Sequence, residues 1–325
     1  MSVLVTGGAG YIGGHVVAGL TSRGESVVVI DDLSTGVPER VAGLVFSVCD
    51  LASDDAPAQV EAILREHDVR AVVHLAAKKQ VGESAQRPAW YYRENVGGLA
   101  NLLLAMESAR VSNLVFSSSA AVYGNGTGVP ARESDAADPI NPYGRTKLAG
   151  EWMVRDAVRA GWLRAVSLRY FNVAGAGNDL SADRFATNLV PIVFERLIAG
   201  EAPRVFGDDY PTPDGTCVRD YVHVVDLADA HVAVLDALSA GRAMPAELNV
   251  GTGVGRSVLE VLEMIRDVTG HATTPAIEPR RIGDPAALVA DSSLIHAELG
   301  WSAKFGLREI ITSAWSGFRA PRVSG

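Results

Sequence analysis

A glycine turn set between two short apolar runs at the amino end constrains the fold more than any other feature of this chain. Residues 3–6 read as a buried strand, and Gly7-Gly8-Ala9-Gly10-Tyr11-Ile12-Gly13 follows at once. A helical pattern then runs from about residue 12 to 23 and stops at Gly24, and residues 26–30 form a second apolar run that ends on Asp31. Strand, glycine turn, helix and strand with a terminal carboxylate make a dinucleotide-binding unit. Gly7 and Gly10 let backbone N–H groups approach a pyrophosphate. Gly13 lets the helix pack closely on the strand, and the helix N-terminus faces the anion. Asp31 can accept hydrogen bonds from the adenosine ribose and would repel a 2′-phosphate, so the expected cofactor is NAD, not NADP. A second glycine turn, Gly251-Thr252-Gly253-Val254-Gly255, also lies between a strand-like and a helix-like run. No acidic residue ends a following strand there, so it reads as a structural turn.

Further apolar runs at residues 44–48, 71–75, 113–117 and 165–169 alternate with helical stretches at 57–66, 90–109 and 143–160. This alternation predicts an α/β fold, a Rossmann-type doubly wound parallel sheet with helices on both faces. Ligands bind at the carboxyl ends of such strands, here Thr6, Asp31, Asp50, Leu75, Ser117-Ser118-Ser119 and Tyr170. After residue 171 the rhythm changes to a loop-rich stretch at 171–186, a helix at 188–198, a Pro/Gly-rich loop at 206–216 and a helix at 226–238. Short strands and helices at 257–268, 292–299 and 307–318 follow. The expected division is a nucleotide-binding domain of residues 1–171 and 218–240, and a smaller C-terminal α/β domain of residues 172–217 and 241–325, with a cleft between them.

Composition narrows the partners. The net charge of −9, from 29 Lys+Arg against 38 Asp+Glu, argues against nucleic acid and anionic membranes. No apolar run approaches the ~18 residues of a membrane span, and the opening lacks the basic region of a signal peptide. Two cysteines, Cys49 and Cys217, build neither a disulfide framework nor a four-cysteine zinc site and point to a reducing, cytoplasmic setting. His223, Asp226 and His231 match no common metal spacing, so no metal is expected. His74 reads as a core or strand-end histidine, and Trp90-Tyr91-Tyr92 as packing, partly against a partner subunit.

Of the eight tyrosines only Tyr143 has a lysine four residues on, Lys147, which places phenol and ammonium on one helix face. Ser119 closes a serine run at a strand end. A free phenol is a poor base at neutral pH, and lowering its pKa from ~10 to ~7 takes roughly 4 kcal/mol. An ammonium about 5 Å away at an effective dielectric of ~20 supplies roughly 3 kcal/mol. The positive nicotinamide ring supplies the rest, which makes Tyr143 a base that ionises opposite NAD+ and regains basicity opposite NADH.

The glycine spacing at 7, 10 and 13 resembles that of short-chain dehydrogenases/reductases. Residues 3–13 (VLVTGGAGYIG), 81–84 (VGES), Asn95-Val96, 116–124 (FSSSAAVYG), 141–147 (NPYGRTK), 169–172 (RYFN) and above all 206–224 (FGDDYPTPDGTCVRDYVHV) narrow this. They resemble the UDP-glucose 4-epimerases, also called UDP-galactose 4-epimerases, of the extended branch. The resemblance covers nearly the whole chain. It implies a retained NAD+, proton removal from the sugar 4-hydroxyl by Tyr143 directly or through Ser119, hydride loss from C4, rotation of the 4-keto sugar and return of hydride to the other face. It implies cofactor contacts at Gly7, Gly10, Tyr11, Ile12, Gly13, Asp31, Asp50, Leu51, Lys79, Asn95, Ser117, Tyr143, Lys147 and Tyr170. Sugar contacts fall on Lys79, Ser119, Tyr143, Phe171 and Asn172. UDP contacts fall on Asn188, Leu189, Phe206, Arg219, Arg281 and Asp284, the two arginines as a clamp on pyrophosphate. It also implies a UDP-sugar-binding second domain and a homodimer through the helices at 90–109 and 143–160.

Leu288 stands where some bacterial members carry a tyrosine that closes the pocket against N-acetylated sugars, so N-acetylhexosamine substrates are open to this chain. The loop at 173–187 is shorter than in some members. A 4,6-dehydratase would need an acidic pair where Ala120-Ala121 stand. Epimerisation of a UDP-pentose or UDP-uronate is the nearer rival, and a non-catalytic NAD-binding sensor the more distant one.

Overall fold

The computed structural model describes residues 1–320 except 126–129, 184, 186–187, 273 and 282. The chain order begins β1 (Ser2–Thr6), α1 (Tyr11–Ser22), β2 (Ser26–Asp31), β3 (Val45–Val48), α2 (Ala56–Glu66), β4 (Ala71–His74), α3 (Val81–Gln86) and α4 (Pro88–Tyr92). After a wide π turn at Arg93–Gly97 come α5 (Gly98–Ala109), β5 (Asn113–Ser117), a short turn of helix at Ala120–Tyr123, α6 (Pro142–Arg159) and β6 (Arg164–Tyr170). The remainder is β7 (Asn172–Ala174), α7 (Leu189–Ile198), β8 (Arg204–Phe206), β9 (Val218–His223), α8 (Val224–Ser239), β10 (Glu247–Val250) and β11 (Gly255–Ser257). It ends with α9 (Val258–Thr269), β12 (Ala276–Glu278), β13 (Ala287–Leu288), α10 (Ser293–Leu299) and α11 (Leu307–Arg319). Among the described residues no helix is long and apolar enough to cross a membrane.

Seven parallel strands form the large sheet in the order β10-β6-β5-β4-β1-β2-β3. The chain leaves β1 toward β2 and β3, then returns to β4 on the other side. The strand order therefore reverses at β1/β4, where an open α/β sheet leaves its binding crevice. Both faces are covered, which explains the near-continuous apolar strands. Val3, Val5, Val27, Val29 and Val73 point to the side of α1 and α8; Leu4, Val28, Ile30, Val72 and Leu114 point to the side of α2 and α5. The second lobe is a small sheet, β11-β9-β13 with β7 beside β9, backed by α7, α9 and α11.

Three expectations are revised. The helix read over residues 90–109 is present and runs unbroken from Pro88 to Ala109, but it widens into a π turn at Arg93–Gly97 that brings Asn95 inward, where it is buried. Residues 218–240 do not all belong to the nucleotide lobe: β9 pairs with β7, β11 and β13 in the small sheet, while α8 packs on the large one. Conversely, β10 falls inside the stretch assigned to the second domain but pairs with β6, with Leu248 and Val250 in the large-sheet core. The loop-rich stretch at 171–186 also contains β7; residues 184 and 186–187 of the loops read there lie outside the described residues.

The second glycine turn is structural. The buried Asp220 carboxylate accepts from the Thr252 N–H and hydroxyl and from the N–H groups of Gly253 and Ala290. His231 and Asp226 are occupied with protein: His231 bonds Ser117 and the Leu227 carbonyl, and Asp226 accepts from the backbone of Lys304 and Phe305.

Burial pushes the imidazoles of His15, His223 and His231 down to about 4 and that of His74 to about 3. His15 Nε2 accepts from Gly177 N–H at 2.8 Å, a bond that only the neutral ring can make. Because the folded-state pKa values lie below the unfolded value, the unfolded chain binds more protons between about pH 4 and 6.5. Stability is therefore full above that window and falls as pH drops through it. Between pH 7.5 and 5.5 each ring costs roughly 1 kcal/mol. Urea unfolding should show a midpoint clearly lower at pH 5.5 than at 7.5; equal midpoints would contradict these neutral, buried rings.

Candidate active site

The site is assembled where α6 starts. Asn141 caps the helix by accepting from Gly144 N–H at 2.8 Å, and Pro142 supplies the fixed first φ. This start puts Tyr143 in the first turn and Lys147 one turn later on the same face. Gly144 has to be glycine, because a Cβ there would lie 2.6 Å from the Ala121 carbonyl oxygen. That close approach brings the Tyr143 turn against the segment that begins at Ser119. Tyr143, Lys147 and Ser119 are all buried, and all three line one cleft of about 580 Å3.

The Lys147 ammonium donates to the Ser117 carbonyl at 2.8 Å and lies 5.3 Å from the centre of the Phe116 ring. The Ser119 hydroxyl oxygen accepts from Ala121 N–H at 3.2 Å. Burial raises the Tyr143 phenol above its ordinary value, with a hydrogen bond from Ser119 opposing it. Burial likewise lowers Lys147 to about 8, opposed by Glu151. Burial and the Ser119 hydrogen bond act on the Tyr143 phenol, and the Lys147 ammonium is turned to the Ser117 carbonyl.

At the dinucleotide end Gly7, Gly10, Tyr11, Ile12, Gly13, Asp31, Asp50, Leu51, Lys79 and Tyr170 line the same cleft. The residues fit a dinucleotide. Gly7 has φ +69°, and a Cβ on Gly13 would lie 2.1 Å from the Gly7 carbonyl oxygen. Helix α1 begins without a side-chain cap or an acidic residue in its first turn, so its N-terminal N–H groups are left for an anion. Asp31 is held by N–H groups of Ala9 and Leu33, and burial raises its pKa. Asn95 and Ser117 stand one layer behind the cleft wall. Asn95 bonds the Lys78 N–H and carbonyl and the Thr146 hydroxyl; Ser117 meets His231 Nε2 at 3.0 Å.

At the other end Phe171, Asn172, Asn188 and Leu189 line the cleft, whereas Phe206, Arg219, Arg281, Asp284 and Leu288 lie beyond its lining. The latter group is nonetheless drawn together. The Arg281 guanidinium stacks 3.7 Å from the Phe206 ring, Arg219 lies 4.0 Å from Asp284, and Leu288 is paired beside Arg219. Arg219 shares a face of β9 with Tyr221, which does line the cleft, so this cluster continues the cleft wall. Leu288 packs with Phe171 and Ala120, next to Ser119.

Sequence reading missed a strap at the Asp31 end of the cleft. Lys78 Nζ donates to Asp32 Oδ2 at 2.6 Å and to Ser34 Oγ at 2.7 Å, with the Trp90 ring 5.8 Å away. All four residues line the cleft, so Trp90 is a wall residue here and not only packing. The one available signal was a second acidic residue following Asp31. A half-buried ion pair of this kind contributes about 1 kcal/mol. Lys78→Ala should therefore speed release of bound NAD roughly two- to fivefold, as read by trapping the freed cofactor; an unchanged rate would show that the strap does not retain it.

Residues 3–251 match the family described as the NAD dependent epimerase/dehydratase family. A UDP-glucose 4-epimerase of Corynebacterium glutamicum is 44% identical over 320 residues, 97% of this chain and 95% of the relative. One of Azospirillum brasilense is 46% identical over 97% of this chain and 91% of the relative. A solved UDP-glucose-4-epimerase from Stenotrophomonas maltophila, with bound NAD and formylated UDP-arabinopyranose, superposes with a TM-score of 0.92 over 98% of each chain at 41% identity. The glycine turn, the Tyr143–Lys147 helix and these likenesses agree: the chain belongs to the NAD dependent epimerase/dehydratase family.

Proposed function

We propose that this protein interconverts UDP-galactose and UDP-glucose by inverting C4 of the hexose with NAD retained throughout. The observation that carries this reading is one continuous cleft. It is lined at one end by Gly7, Gly10 and Asp31, in the middle by Tyr143, Lys147 and Ser119, and at the other end by Asn172 and Asn188.

When bound, NAD supplies the hydride acceptor and donor for C4. Tyr143 removes the proton from the 4-hydroxyl and returns it in the second half of the cycle, with Ser119 holding the phenol oxygen. Because burial disfavours the phenolate, added positive charge in the cleft favours the base form, and its loss makes the phenolate more basic. Lys147 holds its ammonium at the strand end and offers its remaining donors to the nicotinamide ribose. Asn188, Leu189, Phe206, Arg219, Arg281 and Asp284 hold the UDP moiety, and the sugar between them is gripped loosely enough to present its other face. Phe171, backed by the apolar Leu288, forms a wall that does not pin the sugar by hydrogen bonds. Leu288 also leaves room for an N-acetyl group.

The two lobes divide the work, the large sheet taking NAD and the small sheet taking UDP. We assign a homodimer through α5 and α6, whose outward sides expose Leu104 (57%), Trp152 (55%) and Val158 (39%). The free thiols Cys49 and Cys217 support a cytoplasmic setting.

UDP-galactose supplied without added cofactor should yield UDP-glucose with no net NADH, and UDP-N-acetylgalactosamine should be turned over in a parallel tube. Tyr143→Phe should lower the rate by roughly 10²–10⁴-fold. No conversion even with added NAD would overturn the substrate assignment in favour of a UDP-pentose or UDP-uronate; full activity in Tyr143→Phe would remove Tyr143 from the mechanism. Light scattering at micromolar concentration should give twice the chain mass, and Trp152→Glu should shift it toward the single chain; a wild-type monomer would refute the dimer.

A further inference from the structure

Tyr143, Lys147 and Glu151 are spaced four apart and share one face of α6. The Glu151 side chain is fully buried and does not line the cleft. Its Oε1 accepts from Ser118 Oγ at 2.6 Å and Arg169 Nε at 2.8 Å, and its Oε2 from Arg169 Nη2 at 2.7 Å. Arg169 continues to the Tyr123 hydroxyl at 3.1 Å and the Glu133 carbonyl at 3.3 Å, and Tyr123 to Asn249 Oδ1 at 2.7 Å. One carboxylate therefore joins the helix that carries Tyr143 and Lys147, the residue before Ser119 and the residue before Tyr170. A buried ion pair is poor value as a source of stability, since apolar side chains of similar volume do as well or better. Its position calls for another explanation.

Resting on the reading of Tyr143 and Lys147 as the catalytic pair, we propose that Glu151 is the positioning residue of the site. It locks the serine strand end to the catalytic helix and provides the buried negative charge that keeps Lys147 an ammonium. The groups around Lys147 bear this out. β5 offers the neutral Ser117 carbonyl and the Phe116 ring; β4 offers His74, neutral through burial. β6 offers Tyr170, whose phenol is raised by burial, and the Arg169 cation, which is forked onto Glu151. The helix itself offers Tyr143, whose phenol pKa burial also raises. Tyr91 with its partner Glu83, from α4 and α3, faces Tyr143, and Tyr123 of the turn after Ser119 faces Arg169. Glu94 lies on the π turn. Against the burial that lowers Lys147 to about 8, the opposing charge is that of Glu151.

The test uses the NAD-loaded enzyme labelled with 13C at lysine Cε, with the Lys147 signal identified by its loss in Lys147→Met. In Glu151→Gln the Lys147 titration midpoint should fall by at least one pH unit, and the alkaline limb of the epimerase rate profile should move with it. Glu151→Gln/Arg169→Met removes both charges and leaves no unpaired cation, so its midpoint should lie between those of the wild type and the single variant. If Glu151→Gln does not fold, the double variant carries the test. The double variant decides, because the unpaired Arg169 cation alone lowers the midpoint in Glu151→Gln: a double-variant midpoint below wild type supports the proposal, and one equal to wild type overturns it. If the wild type shows no epimerase activity but the midpoint still falls in the double variant, the substrate reading fails and the role of Glu151 stands on the titration.

Discussion

A buried ammonium must be met by acceptors, and the way this chain meets that of Lys147 sets the layout of the site. The acceptor is the carbonyl of Ser117, the last residue of β5, so the strand has to end where the helix turn passes. Helix α6 has to lie close enough to reach it, and it does so by pressing Gly150 onto the Phe116 ring, where a Cβ would sit 2.6 Å from the ring edge. Once those two elements are fixed together, Tyr143 and Ser119 have little freedom left. The order is physical: hydration lost by one charge is recovered only in one arrangement of strand end and helix.

The first helix serves two purposes at once. Its N-terminus faces the cleft, while its side chains bind the other lobe. The Tyr11 hydroxyl donates to the Gly175 carbonyl at 2.7 Å, and His15 bridges the Tyr11 carbonyl and the Gly177 N–H. Arg40 adds bonds to the carbonyls of Leu180 and Ala182. The loop that follows β7 is thus fastened to the first helix and to Arg40 by the hydrogen bonds of two uncharged side chains and one guanidinium. In the small lobe, His223 Nε2 meets Ser313 in the same way.

What could be read from the sequence was what is local. The strand–turn–helix–strand unit and the Tyr143–Lys147 pair depend on spacings of a few residues, and both stand where the spacing put them. What could not be read depends on contacts made at a distance. The Lys78 strap joins loops 44 and 46 residues apart in sequence, and neither loop carries a pattern that names the other. The π turn at Arg93–Gly97 follows from Asn95 bonding across to residues 78 and 146. A short apolar run such as that of β10 announces a strand but not which sheet it will join, and β9, with Arg219, Asp220 and His223 in it, is not an apolar run. The ionisation of Tyr143 depends on its burial, which only the folded chain shows.

The strand order also bears on how the protein emerges from the ribosome. The large sheet, begun at Ser2, receives its last strand only with Glu247–Val250, after the chain has passed through β7, α7, β8 and β9 of the other lobe. Until then the seven-residue strand β6 is an open edge with apolar neighbours, the kind of template to which a second nascent chain can add. The two lobes are therefore not successive folding units. Most of this polypeptide has to be made before either lobe is closed, and the interval between residue 170 and residue 250 is when the chain most needs protection from its own copies.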